Sequence, residues 1–395
     1  MHIESRFDIR LPFYLTIATI SSFLLSFFLL QLFAGLLVLV WLFESNKNKF
    51  KAIDTISYVF IVFVLIRILS ALFSDYPDSS NQIYYKDLLF FLSFFAFGYY
   101  LKAFDERKLR TIYYAFVIAA IIVACVGLAK FLTGNTERAE SFTSGYATFS
   151  SYLVSVIGFA LILFRLIKAK HQKLLLAAGV VLMLSGIVTS LGRTNIVIAI
   201  LIFIIGIVAI KIKARYAIAL LLLAIGISWF SFQLNVNEIN KRIESPVQLS
   251  DRDVLLSTAK ELFLKFERPI IGYGPRTFHD VFTNREQLSD KGVGSWHNDF
   301  IQVYFESGIL GLAAFFVIIF FPLIKALKCL RGCQISEDRK YILIGAVLGL
   351  VGLVLSALTA GFINSPVLSI LFAFFITTVS VIVYPVIDKT TKADN

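Results

Sequence analysis

Histidine is scarce in this chain of 395 residues, and two of its four histidines, His279 and His297, lie in one polar stretch. His297 stands in the run Ser-Trp-His-Asn-Asp-Phe, immediately before a long apolar run. An imidazole with an ordinary pKa of about 6.5 can accept a proton near neutral pH. His297 is therefore a candidate general base for a hydroxyl group, although a lone histidine more often has a structural role.

Two arginines suit the binding of an anion. Arg193 lies in the turn Ser-Leu-Gly-Arg-Thr-Asn between two apolar runs, and this turn is too short to leave a membrane interface. Arg252 lies between Asp251 and Asp253. A guanidinium group can bind phosphate through two parallel hydrogen bonds. Together, the two arginines and His297 suit a reaction in which a hydroxyl group attacks a substrate that carries a phosphate.

Each arginine also has a structural interpretation. Arg193 could anchor its turn at the interface, and the acids around Arg252 suit the first turn of a helix, where the helix dipole favours negative charge. Asp-Arg-Asp also matches the Asp-x-Asp metal motif of many soluble glycosyltransferases, but three residues are a weak signal. Cys329 and Cys333 have no neighbouring histidine or third cysteine. We therefore expect no metal site and no cofactor.

Composition indicates which class of protein must position these residues. Hydrophobic residues make up 58% of the sequence, its mean hydropathy is +0.81, and 40 residues are Phe. Only 16% are charged, against roughly 25% in ordinary soluble domains. A soluble fold of this size has too little interior to hide so much apolar surface. The sequence therefore predicts an all-α, polytopic integral membrane protein. It excludes a secreted disulfide scaffold, a disordered chain and a soluble nucleotide-binding enzyme.

The apolar runs predict a bundle of about twelve transmembrane helices. The first run, 12–43, is too long for one upright helix and suits two short helices that meet near 26–31. Further runs lie at about 56–74, 87–104, 111–133, 146–167, 174–191, 195–210, 215–232, 301–327, 340–362 and 365–386. The chain is thus divided into an N-terminal membrane bundle at 1–232, a large polar loop at 233–300, and a C-terminal bundle with a tail at 301–395.

Basic residues predict the orientation of these spans. With the N-terminus inside, the inner segments hold 23 Lys and Arg residues, whereas the short outer loops hold four, which are Lys86, Lys130, Arg138 and Arg193. The polar loop at 233–300 is then outside and carries nine basic and ten acidic residues. The net charge of +11 therefore reflects the inner loops, and nucleic-acid binding loses its main support.

Inside the outer loop, residues 254–266 have a helical pattern, with Ser250 and Asp251 as candidate caps. Its apolar stripe consists of Val254, Leu255, Leu262, Phe263 and Phe266. Such a stripe outside the membrane is expected to lie on the bilayer surface or on the helix bundle. A turn is expected next, from Pro269, Gly272, Gly274 and Pro275.

Three more cations are candidates for substrate binding at the outer face. Arg67 lies inside a span, and a charge at the bilayer centre costs about 2.5–3.5 kcal/mol on insertion scales. Arg67 therefore either extends toward the outer surface or lines a basic pocket that opens outward. Arg276 and Lys86 are candidates from their positions alone.

Three sequence elements resemble those of the O-antigen ligase/polymerase superfamily. The run Trp-His-Asn-Asp-Phe-Ile-Gln-Val-Tyr-Phe-Glu-Ser-Gly-Ile-Leu-Gly-Leu at 296–312 is similar to the His-Asn run of that family. Arg252 followed by Pro-Ile-Ile-Gly-Tyr-Gly at 269–274 resembles its second element. Thr-Ser-Leu-Gly-Arg-Thr at 189–194 resembles its third. The helix count and the large outer loop before the last spans agree with this resemblance.

The resemblance implies transfer of a polysaccharide from undecaprenyl diphosphate to an acceptor hydroxyl, without metal or nucleotide. The reaction would take place on the periplasmic face of the bacterial inner membrane. Arg193 and Arg252 would hold the diphosphate, and His297 would activate the acceptor hydroxyl for inversion at the anomeric carbon. Asn298, a further candidate at the substrate, and Glu306 match the family run and would shape the segment that bears His297.

Three functions are considered for a chain with these motifs. A ligase would transfer the glycan to lipid A–core, whereas a polymerase of O-antigen or exopolysaccharide would join lipid-linked repeat units, and the two share every motif named above. A transporter or flippase is disfavoured, because the chain has no internal repeat and almost no mid-membrane charge apart from Arg67. We therefore expect a ligase-type transferase whose partners are a lipid-linked glycan donor, lipid A–core or another glycan acceptor, and the bilayer.

Overall fold

The computed structural model describes residues 7–234, 251–265, 267–288 and 293–385. Within these ranges the chain consists of α-helices and connecting segments, with one 3₁₀ turn and no β-strand. Ser250, a candidate cap, and Phe266, a member of the apolar stripe, lie outside the described residues.

The helices follow the apolar runs of the sequence closely. In chain order they are α1 Arg10–Ser21, α2 Phe27–Leu42, α3 Asn46–Ala52, α4 Thr55–Leu72, α5 Pro77–Ser80, α6 Ile83–Lys86, α7 Leu88–Ala103, α8 Glu106–Leu132, α9 Tyr146–Leu166, α10 Lys170–Thr189, α11 Arg193–Ala209, α12 Ala214–Leu234, α13 Arg252–Leu264, α14 Phe278–Val281, α15 Asp299–Gly332, α16 Glu337–Ser356 and α17 Leu368–Val383. All except α3, α5, α6, α13 and α14 coincide with an apolar run, and α1 and α2 are the two short helices expected in the first run.

Seven of the described helices are long and apolar enough to cross a membrane, namely α4, α8, α9, α10, α12, α15 and α16. Helices α2 and α3 would add an eighth span if they are taken together, although they are bent by 114° relative to each other. Helices α11 and α17 are apolar but shorter. The chain is thus a polytopic helical membrane protein, which confirms the class predicted from composition.

The centre of the bundle is formed by α9 and α17. The apolar span of α9 is 83% buried, and every residue of α17 except the last is buried. Helix α9 packs mainly against α16, and a Cβ atom on Gly158 would lie only 2.5 Å from the Cβ of Leu348. Small residues of this kind allow helices in a membrane to approach closely. Aromatic rings fill the remaining space, with contacts among Phe116, Phe159, Phe374 and Phe375.

Helix α15 is broken at Gly308, which divides it into a half helix at 299–307 and a long span at 309–332. A break leaves backbone N–H and C=O groups that a continuous helix would pair. The loop segment 269–274 supplies their partners, because it donates to the end of the half helix and accepts from the start of the span. The four hydrogen bonds are Tyr273 N to Phe305 O at 2.8 Å, Gly274 N to Glu306 O at 2.9 Å, Ile309 N to Pro269 O at 2.8 Å and Leu310 N to Ile270 O at 3.3 Å.

Glycine is required on both sides of this junction, because the two backbones touch. A Cβ atom on Gly308 would lie 2.3 Å from the carbonyl carbon of Ile270, and one on Gly272 would lie 2.5 Å from that of Glu306. Both glycines also have positive φ angles, +62° and +74°, which other residues rarely adopt. The Pro-Ile-Ile-Gly-Tyr-Gly element and the His-Asn run are therefore interlocked through their backbones.

Helix α13 confirms the helix expected in the outer loop, but the capping prediction for Asp251 is wrong. Asp251 precedes the helix, yet its side chain makes no capping hydrogen bond. Its backbone is left-handed, with φ of +59°, whereas a capping residue usually has an extended backbone that aims its oxygen at the first turn.

The apolar stripe of α13 is only partly covered. Leu255 is buried in a small core of the polar loop at 233–300 that includes Phe278, Trp296 and, from the half helix, Phe305. Phe305 belongs to the half helix, so this part of the stripe packs on the bundle as well as on the loop. Phe263 is 59% exposed.

Candidate functional site

The half helix begins directly after the His-Asn pair. Asn298 caps it, because the Oδ1 atom of Asn298 accepts hydrogen bonds from the N–H groups of Phe300 and Ile301 at 3.0 and 3.1 Å. The Nδ2 atom of Asn298 donates to the carbonyl of Leu358 at 3.2 Å. His297 is half-buried and has a left-handed backbone, with φ of +48°. Asn298 is thus a cap and a tether, and its contact with substrate stays a prediction.

The backbone around His297 is fixed by two side chains of the half helix. The N–H group of Trp296 donates to Oε1 of Gln302 at 2.9 Å, and Nε2 of Gln302 donates to Oε1 of Glu306 at 2.5 Å. Gln302 and Glu306 are four residues apart, so their side chains lie on the same face of the helix. The residue before His297 is therefore connected to a buried carboxylate.

Glu306 is 1% exposed and joins several segments of the bundle. Besides Gln302, its Oε1 atom accepts hydrogen bonds from the backbone N–H of Arg276 at 2.7 Å and from Nδ2 of Asn364 at 2.9 Å. Its Oε2 atom accepts from Nη2 of Arg67 at 3.0 Å. A buried carboxylate needs such partners, because it has lost its hydration. The expectation that Glu306 shapes the segment bearing His297 agrees with this geometry.

Arg67 belongs to a buried cluster of charges. It is only 1% exposed, so the alternative in which it extends to the outer surface is wrong. Its guanidinium lies 3.0 Å from the carboxylate of Glu306 and 3.7 Å from that of Asp87, and Arg276 also pairs with Asp87. Burial raises the pKa of Asp87, and the charges of Arg276 and Arg67 offset part of this effect. Arg67 thus faces carboxylates, and its contact with substrate stays a prediction.

Arg252 lies beside the His-Asn pair. It is the first residue of α13, and its Nη2 atom donates to the carbonyl of Thr359 at 3.0 Å. The preceding carbonyl, that of Leu358, accepts from Asn298. Two consecutive residues of the loop that follows α16 therefore hold Arg252 and the His-Asn pair next to each other.

Arg193 differs from Arg252 in having no protein partner among the residues that the structure describes. It is the first residue of α11, its side chain is exposed, and no hydrogen bond or ion pair joins it to the described part of the chain. The Arg193 turn, residues 190–195, is anchored by Asn195, whose Nδ2 atom donates to Ser150 at 2.7 Å and to Ser151 at 3.2 Å. The backbone is therefore fixed, while the guanidinium is available for an anion.

The Arg193 turn lies at the same end of the bundle as Arg252 and the His-Asn pair. The first turns of α9 contact Asn195 on one side and the end of α16 on the other, where Gly352 packs against α9. Helix α16 then continues into the loop whose carbonyls accept from Arg252 and Asn298.

The three predicted catalytic residues all stand at amino-terminal ends of helices. Arg193 begins α11, Arg252 begins α13, and His297 lies two residues before α15. A helix amino terminus carries a partial positive charge that favours anions. Guanidinium groups and helix dipoles at this end of the bundle therefore suit a substrate with phosphate groups. The individual contacts of these residues with a substrate stay predictions.

Lys86 and Arg276, the candidates from position alone, line one cavity of about 460 Å³. The cavity lies among α2, the start of α7 and the loop before α17. The Nζ atom of Lys86 donates to Oε1 of Gln82 at 2.6 Å, and the side chain is exposed. The structure thus brings together two cations that are 190 residues apart in the sequence.

Within the described ranges, no three His, Cys, Asp or Glu side chains are grouped as a metal site requires. Asp253 is exposed on the first turn of α13. Metal independence itself stays a prediction.

Three residues of this network have no role in the sequence-based prediction. Gln302 lies four residues before Glu306, and this spacing on a helix is a signal that could have linked them. Asp87 and Asn364 come from segments far from the His-Asn run in sequence, and no local pattern indicates their contacts with Arg276 and Glu306.

Comparison with known families supports the resemblance. Residues 178–316 match the family model described as O-antigen ligase. No curated protein matches the chain. The matched segment begins before the Arg193 turn and ends after the break at Gly308, so it contains Arg193, Arg252 and His297. The match therefore supports the resemblance of this part of the chain to the O-antigen ligase/polymerase superfamily, which the motifs of the sequence predict.

Proposed function

We propose that this protein is an O-antigen ligase-type transferase that moves a glycan from undecaprenyl diphosphate to a hydroxyl group of lipid A–core. The supporting observation is that His297, Arg193 and Arg252 lie at helix amino termini at one end of the bundle, within the segment that matches the family. This arrangement offers a base beside cations that suit a diphosphate.

In this proposal His297 is the general base. Its imidazole takes the proton of the acceptor hydroxyl, and the hydroxyl oxygen attacks the anomeric carbon of the donor sugar. The bond between that carbon and the diphosphate oxygen breaks on the opposite face, so the configuration at the carbon is inverted. The electron pair of the broken bond goes to the diphosphate. A general base of this kind contributes roughly 10²–10⁴-fold to the rate.

Arg193 and Arg252 bind the diphosphate and stabilise it as it leaves. Negative charge grows on the leaving oxygen, and guanidinium groups that already face that oxygen lower the barrier. Arg193 needs no rearrangement, since it has no protein partner among the described residues. Arg252 exchanges its hydrogen bond to the Thr359 carbonyl for one to phosphate. Because arginines neutralise the diphosphate, the reaction needs no metal ion.

We further propose about twelve spans in the bacterial inner membrane, with both termini in the cytoplasm and the loop at 233–300 in the periplasm. The excess of basic residues in the inner segments supports this orientation. Alkaline phosphatase fused near Gln287 should be active, whereas the same enzyme fused near Arg107 should be silent. The reverse pattern would contradict both the orientation and the location of the site.

The identity of the acceptor is tested by the product that accumulates in a deletion strain. Loss of a ligase leaves long glycan chains on the lipid carrier, and these chains are not transferred to core. Loss of a polymerase, the alternative function, leaves a single repeat unit on core. Single repeats on core in the deletion strain would overturn the ligase assignment, and normal long chains on core would overturn both functions.

A further inference from the structure

The cavity that contains Lys86 and Arg276 has a polar wall and an apolar wall. Lys86, Arg276 and Asn364 contribute the polar atoms. The apolar wall consists of Phe27, Leu89, Phe90 and Ile370. Phe27 is 37% exposed and adjoins the exposed outer face of α2, where Phe28 is 69% exposed. Side chains this apolar and exposed on a membrane helix face lipid, so a hydrocarbon chain can reach the cavity from the bilayer.

Around this cavity the cations outnumber the carboxylates. Among the described residues, the two guanidinium groups of Arg67 and Arg276 pair with the carboxylates of Asp87 and Glu306. The positive charge of Lys86 is then left without a carboxylate partner. The only hydrogen bond of Lys86 within the described ranges is to the neutral amide of Gln82. A cation beside an apolar wall and without a carboxylate favours an anionic ligand.

Two buried polar atoms of the cavity residues also lack partners. Among the described residues, Nε of Arg276 is a donor with no acceptor, and Oδ1 of Asn364 is an acceptor with no donor. Buried polar atoms normally have a hydrogen-bond partner. A phosphate group supplies oxygen acceptors for Arg276 and Lys86, and a hydroxyl group of an attached sugar supplies a donor for Asn364.

The cavity is separate from the Arg193 turn but is connected to His297. Helix α11 packs mainly on α9 and α16, whereas the cavity lies among α2, α7 and the loop before α17. Arg276 and Asn364 both donate to Glu306, and Glu306 is linked through Gln302 to the backbone beside His297. The cavity is therefore lined by other helices than those that pack against α11, and it is linked to the backbone beside the proposed base.

We propose that this cavity binds the phosphate of a second lipid, while Arg193 and Arg252 hold the donor. The inference rests on the proposed function, because that function assigns the donor to the two arginines. The ligand class is a phosphate ester with a long hydrocarbon chain. The phosphate contacts Lys86 and Arg276, and the chain runs along Phe27 and Phe90.

The test counts the lipids bound to the full-length protein in detergent by native mass spectrometry, with undecaprenyl phosphate as the probe. The wild-type protein should bind two molecules. Lys86→Gln keeps the length of a polar side chain but removes the charge, and it should weaken one of the two binding events by roughly tenfold to hundredfold. Lys86→Arg should retain both. Lys260→Gln is the matched control, since it removes one exposed charge from the outer loop away from the cavity.

A double variant, Arg193→Ala with Arg252→Ala, separates this inference from the proposed function. It should lose one lipid and keep the one that depends on Lys86. If Lys86→Gln still binds two lipids, the cavity is not a lipid phosphate site. The same conclusion follows if the wild type binds only one lipid and the double variant binds none. If the double variant binds as many lipids as the wild type, the donor site assigned to the arginines is wrong.

Two further ligands define what the cavity recognises. Undecaprenol has the same chain without phosphate and should not bind at the site that depends on Lys86; equal binding would overturn recognition of phosphate. Inorganic phosphate should compete only weakly with the lipid. If inorganic phosphate displaces undecaprenyl phosphate from the cavity at equal concentration, the hydrocarbon chain contributes nothing and the lipid assignment fails.

Discussion

The half helix and the Arg193 turn lie at the same end of the bundle but are built in opposite ways. In the half helix, buried side chains converge on Glu306, and the segment 269–274 pairs the backbone on both sides of the break. In the Arg193 turn the backbone is anchored, yet the side chain of Arg193 is exposed and has no protein partner within the described ranges. A base must be held in one position, whereas a group that binds a diphosphate must change partners as substrate enters and leaves.

The comparison predicts that the two regions respond differently to loss of a charge. Glu306→Ala leaves Arg67 in the bundle without its close partner, and breaking a buried pair costs about 3–5 kcal/mol. We therefore expect a large fall in the thermal unfolding midpoint and in the amount of folded protein in the membrane. Arg193→Ala is the matched control and should change stability by less than about 0.5 kcal/mol while transfer falls. Equal stability of the two variants would contradict the proposed division of roles.

The break in α15 is tested by Gly308→Ala. The new Cβ atom meets the backbone of Ile270, and the residue keeps a positive φ, so we expect destabilisation of about 1–3 kcal/mol or more. Gly226→Ala is the control, because a Cβ atom there meets nothing within 4 Å and the residue lies inside α12. That control should be neutral or stabilising by up to about 1 kcal/mol. Thermal unfolding of the purified variants measures both effects, and a stable Gly308→Ala variant would show that the interlock is unnecessary.

The chemistry of the Arg193 turn is tested by Arg193→Lys. A lysine keeps the charge but cannot form the two parallel hydrogen bonds of a guanidinium, so transfer should fall almost as far as in Arg193→Ala, by roughly tenfold to hundredfold. Folded protein should remain unchanged. The same outcome is expected for Arg252→Lys. An interfacial anchor or a helix start would instead tolerate lysine, so near-normal transfer by both variants would refute the binding of diphosphate by these arginines.

The smallest expected effect is that of a chelator. If the two arginines neutralise the diphosphate, excess EDTA should leave transfer by the purified protein unchanged. Loss of transfer, restored by manganese or magnesium, would overturn the arginine assignment and return attention to Asp251 and Asp253.

The sequence predicts the helices well, but it does not predict the junction between the broken helix α15 and the segment 269–274. Long apolar runs mark the spans because lipid-facing and core-facing positions are both apolar in a membrane bundle. The break at Gly308 has no such mark, since the apolar run at 301–327 continues on both sides of Glu306, Ser307 and Gly308. Its cause is the approach of the segment 269–274, which lies more than thirty residues earlier, and only the paired glycines of the two motifs hint at it.

The site is predicted less completely than the fold. Motifs single out His297, Arg193 and Arg252 as candidates, because each stands in a local pattern, and their roles stay predictions. The pairing of Arg67 with Glu306 spans 239 residues, so sequence spacing indicates a costly charge but not its partner. For the same reason Arg67 is assigned to substrate from sequence, whereas the structure places it among carboxylates.

The central claim, that His297 is the general base, is tested most directly by His297→Asn. Asparagine tolerates the left-handed backbone at this position, where φ is +48°, and it keeps a polar side chain, but it cannot take a proton. Transfer of glycan by the purified variant should fall by roughly 10²–10⁴-fold, while the amount of folded protein and the binding of undecaprenyl diphosphate stay unchanged. Near-normal transfer by His297→Asn, with donor binding intact, would contradict the role of this histidine as the base.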